Sequence, residues 1–344
     1  MNTELIKKKI LDLAIRGRLV EQRPEEGTAE ELYAQIQEEK KKLIEDGKIK
    51  KEKPLPEITE DEIPFDIPES WKWVRIPEIS YFQEGPGILA QDFRKQGIPL
   101  LRLSGLSNEF ASLKGCNYLD PLMVKERWSH FSLEKGDIVI STSASMDKIS
   151  EIDEDTAGSI PYTGIIRFKM FCNVNKTYFK YFLQSSYYAK QVNQNKKGDA
   201  IKHYGPTHLK KFNFSLPPLS EQKRIVDKVE EIFSRIDVIE KTKGDLAKDG
   251  KLLEKKILDL AIRGKLVEQR PEDGTAEELY SQIQEEKKKL IADGKIKKEK
   301  PLPEITKDEI PFEIPESWKW VYLGDISSIY GGKRIPAGRQ LILR

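Results

Sequence analysis

Two spacings of apolar residues organise this chain. From Ser220 onward, Ile225, Val229, Ile232, Ile236 and Ile239 recur at alternating intervals of four and three, and the register continues through Lys243, Leu246, Gly250, Leu253, Ile257 and Leu260. An a/d seam sustained for about five heptads predicts one long helix that pairs with another helix. Ser220 is its expected N-cap, Leu216-Pro217-Pro218-Leu219 ends the strand before it, and the helix should stop near Gly264, a length of roughly 65 Å. Lys243 and Gly250 interrupt the seam, a place for the helix to loosen. A seam packed against the body of its own domain is the competing reading. A short helix over Thr3–Arg16 carries Ile6, Ile10 and Leu13 in the same register. Two further amphipathic helices are expected at Thr28–Asp46 and Thr275–Asp293, each opened by a Thr-Ala-Glu-Glu capping box. Elsewhere the pattern is short-range. Strands are expected at Leu100–Ser104, Asp137–Thr142, Gly164–Met170 and Phe212–Leu216, and helices near Lys176–Ser185, Tyr188–Gln194 and Pro206–Lys211. The fold class is therefore α+β: a mixed α/β domain with a twisted sheet, joined to long coiled-coil-type helices.

A repeat sets the order of the parts. Glu4–Val74 recurs as Lys251–Val321 at a constant offset, Ile10 matching Ile257, with no insertion or deletion. Copies separated by a long unique stretch do not stack as a solenoid; they bracket a different domain. The chain reads as a scaffold repeat over 1–74 (short helix, amphipathic helix, extended linker), a unique domain over 75–218, a long heptad helix over 219–264, a second scaffold repeat over 265–321, and a stub over 322–344. A stub of roughly 23 residues is too short to build a core, because chains below about 40 residues rarely fold unaided. It sits where a second domain would begin. The Lys- and Pro-rich connectors after each amphipathic helix are expected to be extended, as solvated spacers or as phosphate contacts. Trp71 and Trp73 are expected in a packed core.

Composition narrows the function classes. Charged residues make up 34% of the chain, yet the net charge is only +2, so any basic surface must come from local segregation. Cys116 and Cys172 have no metal spacing and suggest no disulfide framework, which points to reduced thiols in a cytoplasmic protein. No apolar run approaches the roughly 20 residues of a membrane span, and charges interrupt every stretch where a signal-peptide core would lie. There is no phosphate-binding glycine loop, no nucleophile elbow and no Cys/His metal pattern. An Asn/Asp-Pro-Pro-aromatic tetrapeptide of the kind that holds a flipped base in amino-methyltransferases is also missing. Asp137, Asp147 and Asp153 read as ordinary surface or capping residues. No catalytic, cofactor-binding or metal-binding residue is assigned, and the chain is not expected to be an enzyme.

Charge does segregate inside the unique domain. From Arg167 to Lys211 there are ten Lys or Arg residues and one acid, Asp199, whereas acids predominate from Glu134 to Asp155. Aromatic residues interleave with the basic stretch, and Tyr178, Phe179 and Phe182 are expected in the core. The preferred DNA-contact segment is Asn193–Phe212, with Lys196, Lys197, Lys202, His203, Tyr204, Thr207, Lys210 and Lys211 as the contact residues. Cations there would neutralise phosphate, and neighbouring polar groups would read base edges. A basic surface loop without a ligand is the competing reading, and His203 and His208 can equally serve structural roles.

Several runs resemble a known family. FNFSLPPLSEQKRIVDKVEEIF (Phe212–Phe233) is similar to the junction between a target recognition domain and the central helical region of type I restriction-modification specificity (S) subunits, HsdS-like proteins. KKGDAIKHYGPTHLKKF resembles the segment preceding that junction. KGDIVISTSAS resembles an internal strand of the family, with Ala144-Ser145-Met146 where a glycine-containing turn is usual. ILDLAIRGKLV and IPESWKWVYLGDIS resemble the approach to the next recognition domain. The resemblance implies a non-catalytic, sequence-specific DNA-binding subunit. Two recognition domains held apart by antiparallel helices read a bipartite site. The helices dock modification (M) subunits, which bind S-adenosylmethionine and methylate adenine, and motor-nuclease (R) subunits join for restriction. On this reading the chain is a half-size subunit that homodimerises through Ile225, Val229, Ile232, Ile236, Ile239, Leu246, Leu253, Ile257 and Leu260 and reads an inverted bipartite site on double-stranded DNA. A truncated or recombining allele, inactive alone, and a protein-only coiled-coil adaptor are the alternatives.

Overall fold

The computed structural model describes residues 2–51, 53–107, 109–142, 148–171, 174–194, 205–298 and 300–327. The chain has an α+β fold and divides into two units, Met1–Glu240 and Lys241–Arg344. The first opens with α1 (Thr3–Ala14), α2 (Ala29–Glu45), β1 (Lys72–Arg75) and α3 (Ile76–Ile79). It continues through β2 (Ser80–Glu84), β3 (Phe93–Arg94), β4 (Ile98–Leu101), β5 (Asn117–Leu119) and the single turn α4 (Pro121–Met123). Then come β6 (Ile138–Ser141), β7 (Ile149–Glu151), β8 (Ile160–Pro161), β9 (Ile165–Met170), α5 (Lys176–Gln184), α6 (Ser186–Gln194), α7 (Pro206–Leu209) and β10 (Asn213–Leu216). The long helix α8 (Leu219–Ile262) leaves this unit and continues into the second, which contains α9 (Ala276–Ala292) and α10 (Leu323–Ile326).

Among the described residues, three small sheets build the first unit. Strands run β2-β9-β6-β7 in one, β3-β5-β4-β8 in another, and β1 pairs with β10 in the third. All of these pairings are antiparallel except β4 with β8. The largest core lies between the first sheet and the helices: Ile140, Ile166 and Phe168 meet Phe179, Phe182 and Phe214, with the scaffold's Leu11, Ile15, Ile36 and Trp71 in the same cluster. Tyr178, Phe179 and Phe182 are fully buried, as their helical spacing predicts. Asn175 fixes where α5 begins: its side chain accepts from the amides of Thr177 (2.9 Å) and Tyr178 (3.1 Å), satisfying donors that have no partner within the helix.

Each strand and helix expected from the pattern has a counterpart, but the short strands β2, β3, β5, β7 and β8 were not legible. Two to five residues carry little period, and pairing across the sheet decides them. The start of α8 also differs from expectation. Leu219 is already helical, so Ser220 lies inside the first turn; the Pro218 carbonyl takes the Gln222 amide at 3.0 Å, and the Gln222 side chain returns to the Pro217 carbonyl at 2.9 Å. At the end of α1 the buried residues are Leu11, Ala14 and the C-cap Ile15, whereas Leu13 is exposed and Ile6 and Ile10 are half-buried. The reason is that α1 packs on α5 and α6 as well as lying along α8. Asp137, read as a surface or capping residue, is buried, and Asp147 lies outside the described residues.

The scaffold turn after α1 depends on a glycine. Gly17 has φ +67°, and a Cβ there would fall 2.4 Å from Pro68 Cγ and 3.2 Å from the Trp71 ring. Gly47 has a similar φ of +71° but faces open space. Gly17→Ala should therefore cost several times as much as Gly47→Ala, for which about 1 kcal/mol is expected from backbone strain alone. Thermal melts of the two variants compare them directly, and equal shifts would refute the packing argument.

Candidate functional site

The segment expected to touch DNA lies between two well-anchored stems. Lys196, Lys197, Lys202, His203 and Tyr204 fall outside the described residues. On the near side, α6 is held by buried Tyr187, Tyr188, Gln191 and Val192. Gln191 clamps β10, donating to the Asn213 carbonyl at 3.0 Å and accepting from the Asn213 amide at 2.7 Å. On the far side, α7 is pinned by the buried side chains of Leu209 and Phe212. His208 closes the turn into α7: its Nδ1 accepts from the Gly205 amide at 3.3 Å, which gives it a structural role. Thr207 and Lys211 are exposed, and Lys210 is half-buried.

Folding consumes part of the charge segregation seen in the sequence. The acidic stretch and the basic stretch lie on neighbouring elements, so Lys169 pairs with Glu134 at 2.5 Å and Lys180 with Glu151 at 3.3 Å. Arg167 is buried, donating to the carbonyls of Ser132 (2.7 Å) and His130 (3.3 Å) and to the Gln83 side chain (2.9 Å), with Asp137 3.8 Å away. Burial raises the Asp137 carboxyl above its ordinary value, against the pull of the Glu134 amide and Arg167. These three cations are structural. Lys190 on α6 and Lys211 just after α7 are exposed, which keeps the candidate phosphate contacts at the 195–211 segment.

Sequence reasoning missed the joint between scaffold and recognition body. Arg75 reaches Glu62 at 2.8 and 3.0 Å, the Asn213 side chain at 2.7 Å and the Lys211 carbonyl at 2.7 Å. It thereby holds the far stem on the scaffold. Glu221, buried in the first turn of α8, accepts from Trp71 Nε1 at 2.8 Å and from Gln22 at 2.5 Å. The only sequence signal was that the repeat loses its identity at Arg75, where the second copy has Tyr322.

Burial raises the Glu221 carboxyl above its ordinary value, opposed by the Trp71 and Gln22 hydrogen bonds. A carboxyl whose folded pKa exceeds its unfolded pKa contributes most below the unfolded value, about 4.3, and loses that contribution as pH rises through the raised folded value. Glu221→Gln keeps an acceptor for Trp71 and removes this titration. Urea unfolding should show the wild type losing stability relative to Glu221→Gln as pH rises through that window; a pH-independent difference would contradict the assignment.

Along α8, Ile225, Val229 and Ile236 are buried and Ile232 is half-buried, so the first part of the seam packs inside its own unit. Beyond it Ile239, Leu246, Leu253 and Ile257 are exposed, and Leu260 is half-buried. The helix continues without a break through Lys243 and Gly250. Among the described residues no group of three or more His, Cys, Asp or Glu could hold a metal ion, and no helix is long and apolar enough to cross a membrane.

A family model described as the type I restriction modification DNA specificity domain matches residues 68–248, more than half of the chain. The chain belongs to that family. The matched residues run from the scaffold joint through β1–β10 and into α8, so the family's domain here includes both stems of the candidate segment. The specificity subunit of the type I restriction enzyme EcoAI from Escherichia coli is 31% identical, with 95% of this chain and 63% of that protein covered. The EcoEI specificity subunit, also from Escherichia coli, is 30% identical, with 93% and 61% covered. The chain thus spans under two thirds of the length of these curated relatives. A solved HsdS subunit from Thermoanaerobacter tengcongensis aligns with a TM-score of 0.43 and 20% identity, over 75% of this chain and 57% of that one.

Proposed function

We propose that this family member is the non-catalytic, sequence-specific DNA-binding subunit of a type I restriction-modification complex. Its recognition body reads one half of a bipartite site on double-stranded DNA. The observation that carries this reading is the pair of anchored stems, α6 and α7, that flank the basic 195–204 segment within the family's own domain. Cations there supply phosphate affinity, and the polar groups among them supply base contacts. Methylation and restriction belong to partners: M subunits carry S-adenosylmethionine and modify adenine, and R subunits cleave. The assembly works in the cytoplasm.

The other half-site needs a second recognition body. The exposed seam residues Leu246, Leu253 and Ile257 support a partner helix from another chain. If that chain is a second copy, the complex reads an inverted, symmetric site. Co-expression with the M subunit in a methylation-free host, followed by sequencing of modified adenines, tests the proposal. A bipartite motif with a fixed gap is expected, symmetric for a homodimer and asymmetric if a different body supplies the second half. Intact complex with no modified adenine would favour an inactive allele and overturn the reading.

A further inference from the structure

The β3-β5-β4-β8 sheet ends in an arginine well separated in sequence from the 195–211 segment. Strands β4 and β8 run parallel, with Leu101 opposite Pro161, so Arg102 and Tyr162 leave the sheet side by side. The Tyr162 amide donates to the Leu101 carbonyl at 3.0 Å, and the Arg102 carbonyl takes the Gly105 amide at 2.9 Å, which fixes the backbone of both residues. The Arg102 guanidinium lies 4.0 Å over the Tyr162 ring and 5.8 Å from the Phe93 ring, and its Nη1 donates to Asn117 Oδ1 at 3.3 Å. The support is rigid. Asn117 sits in β5 opposite Leu100, which is buried. Behind Tyr162 the chain packs so closely that a Cβ on Gly85 would fall 2.2 Å from the Pro161 carbonyl oxygen and 2.4 Å from that of Tyr162.

Arg102 differs from the arginines that hold this protein together. Arg75 spends its guanidinium on Glu62, Asn213 and the Lys211 carbonyl, Arg167 on two carbonyls and Gln83, and Arg224 on both oxygens of Glu26. Arg102 is half-buried, yet of its fork of N–H donors only one is given to a partner, and among the described residues it has no ion pair. Asp120, just past Asn117 and the end of β5, is occupied at the start of α4, where it accepts from the amides of Leu122 (2.8 Å) and Met123 (3.3 Å). Stacking on a ring fixes the plane of a guanidinium without consuming the donors at its edge. The rotamer freedom is lost before any ligand arrives, so a contact made by that edge costs less ordering. A swinging cation is enough to meet phosphate, whereas a base edge demands a planar fork held in register.

We propose that Arg102 is a base-reading residue of the recognition body, donating in bidentate fashion to the O6 and N7 of a guanine in the major groove, the pairing that guanidinium geometry favours. Tyr162 is its positioning residue, and Asn117 sets the rotation of the fork above the ring. Exposed Lys114, whose carbonyl takes the Ser104 hydroxyl at 2.9 Å, lies on the turn that follows Arg102 and supplies charge for a flanking phosphate. The proposal rests on the DNA-specificity function above and deepens it: it adds a contact outside the 195–211 segment and names one base of the half-site.

The test compares full-chain variants in the complex with the M subunit, taking the motif from sequenced modified adenines. Wild type should require a G·C pair at a position that becomes degenerate in Arg102→Lys, which keeps the charge and loses the fork, while the gap and the remaining positions stay. Anisotropy should agree: changing that pair weakens wild-type binding about tenfold or more and Arg102→Lys binding less than about threefold. Tyr162→Leu should lose most of this discrimination and Tyr162→Phe should retain it. The unaltered positions of the motif report that each variant is folded. An Arg102→Lys motif identical to that of wild type would overturn the proposal. So would Arg102→Gln weakening all duplexes alike and lowering the log–log salt slope by about 0.9, the mark of a phosphate contact. A wild-type complex that modifies no adenine sinks the specificity function and this proposal with it, whereas an unchanged Arg102→Lys motif sinks the proposal alone.

Discussion

Trp71→Ala is expected to destabilise the 1–240 unit by about 3–5 kcal/mol, the range for removing a large buried aromatic, while the same change at Trp318 is expected to cost about 1 kcal/mol or less. The two tryptophans occupy equivalent places in near-identical sequence, so local propensity cancels in the comparison. Trp71 is 6% exposed, stacks edge-on against Tyr178 with centroids 6.4 Å apart, and donates to Glu221. Its loss opens a cavity and strips a donor from a buried carboxyl. Trp318 is 40% exposed and has no counterpart of Glu221 among the described residues. Denaturant unfolding of each single variant in the full chain measures both effects, and losses of equal size would refute the claim that cover, not local sequence, distinguishes the copies.

The second large effect concerns DNA. Replacing Lys196, Lys197 and Lys202 together by glutamate should weaken binding to a cognate duplex by about a hundredfold or more at low salt. It should also reduce the salt dependence by about 0.9 in the log–log slope for each phosphate contact removed. Fluorescence anisotropy at several salt concentrations reads both quantities. Unchanged affinity would move the contact surface elsewhere and would revive the adaptor alternative. Arg167 serves as a contrast: substituting it should lower stability before it lowers affinity, because its guanidinium is occupied inside the protein.

The long helix, the scaffold helices and the order of parts were legible because each rests on periodicity or repetition, which survive in one dimension. A seam of Ile and Val at heptad spacing reads as a helix wherever it packs. The aromatic core residues of α5 were legible for the same reason. The joint was not. Arg75, Gln22, Glu221 and Asn213 lie far apart in the sequence and are joined only by the pairing of β1 with β10 and the start of α8 beside them. The basic run misled in part: its early members sit on β9 and α5 beside the acids of the 134–155 stretch, a neighbourhood that strand pairing creates.

The amino-acid sequence by itself determined that the chain is α+β, that one scaffold occurs twice around a unique domain, and that a long helix joins the parts. These follow from local preferences and short-range patterns that need no partner. Tertiary structure decided which half of the helical seam is covered, which cations are occupied in ion pairs, and that two near-identical scaffolds present opposite surfaces, one buried and one open. Burial and charge pairing depend on what lies across a contact. Near-identical segments are buried to different degrees where, among the described residues, only one of them packs against a recognition body.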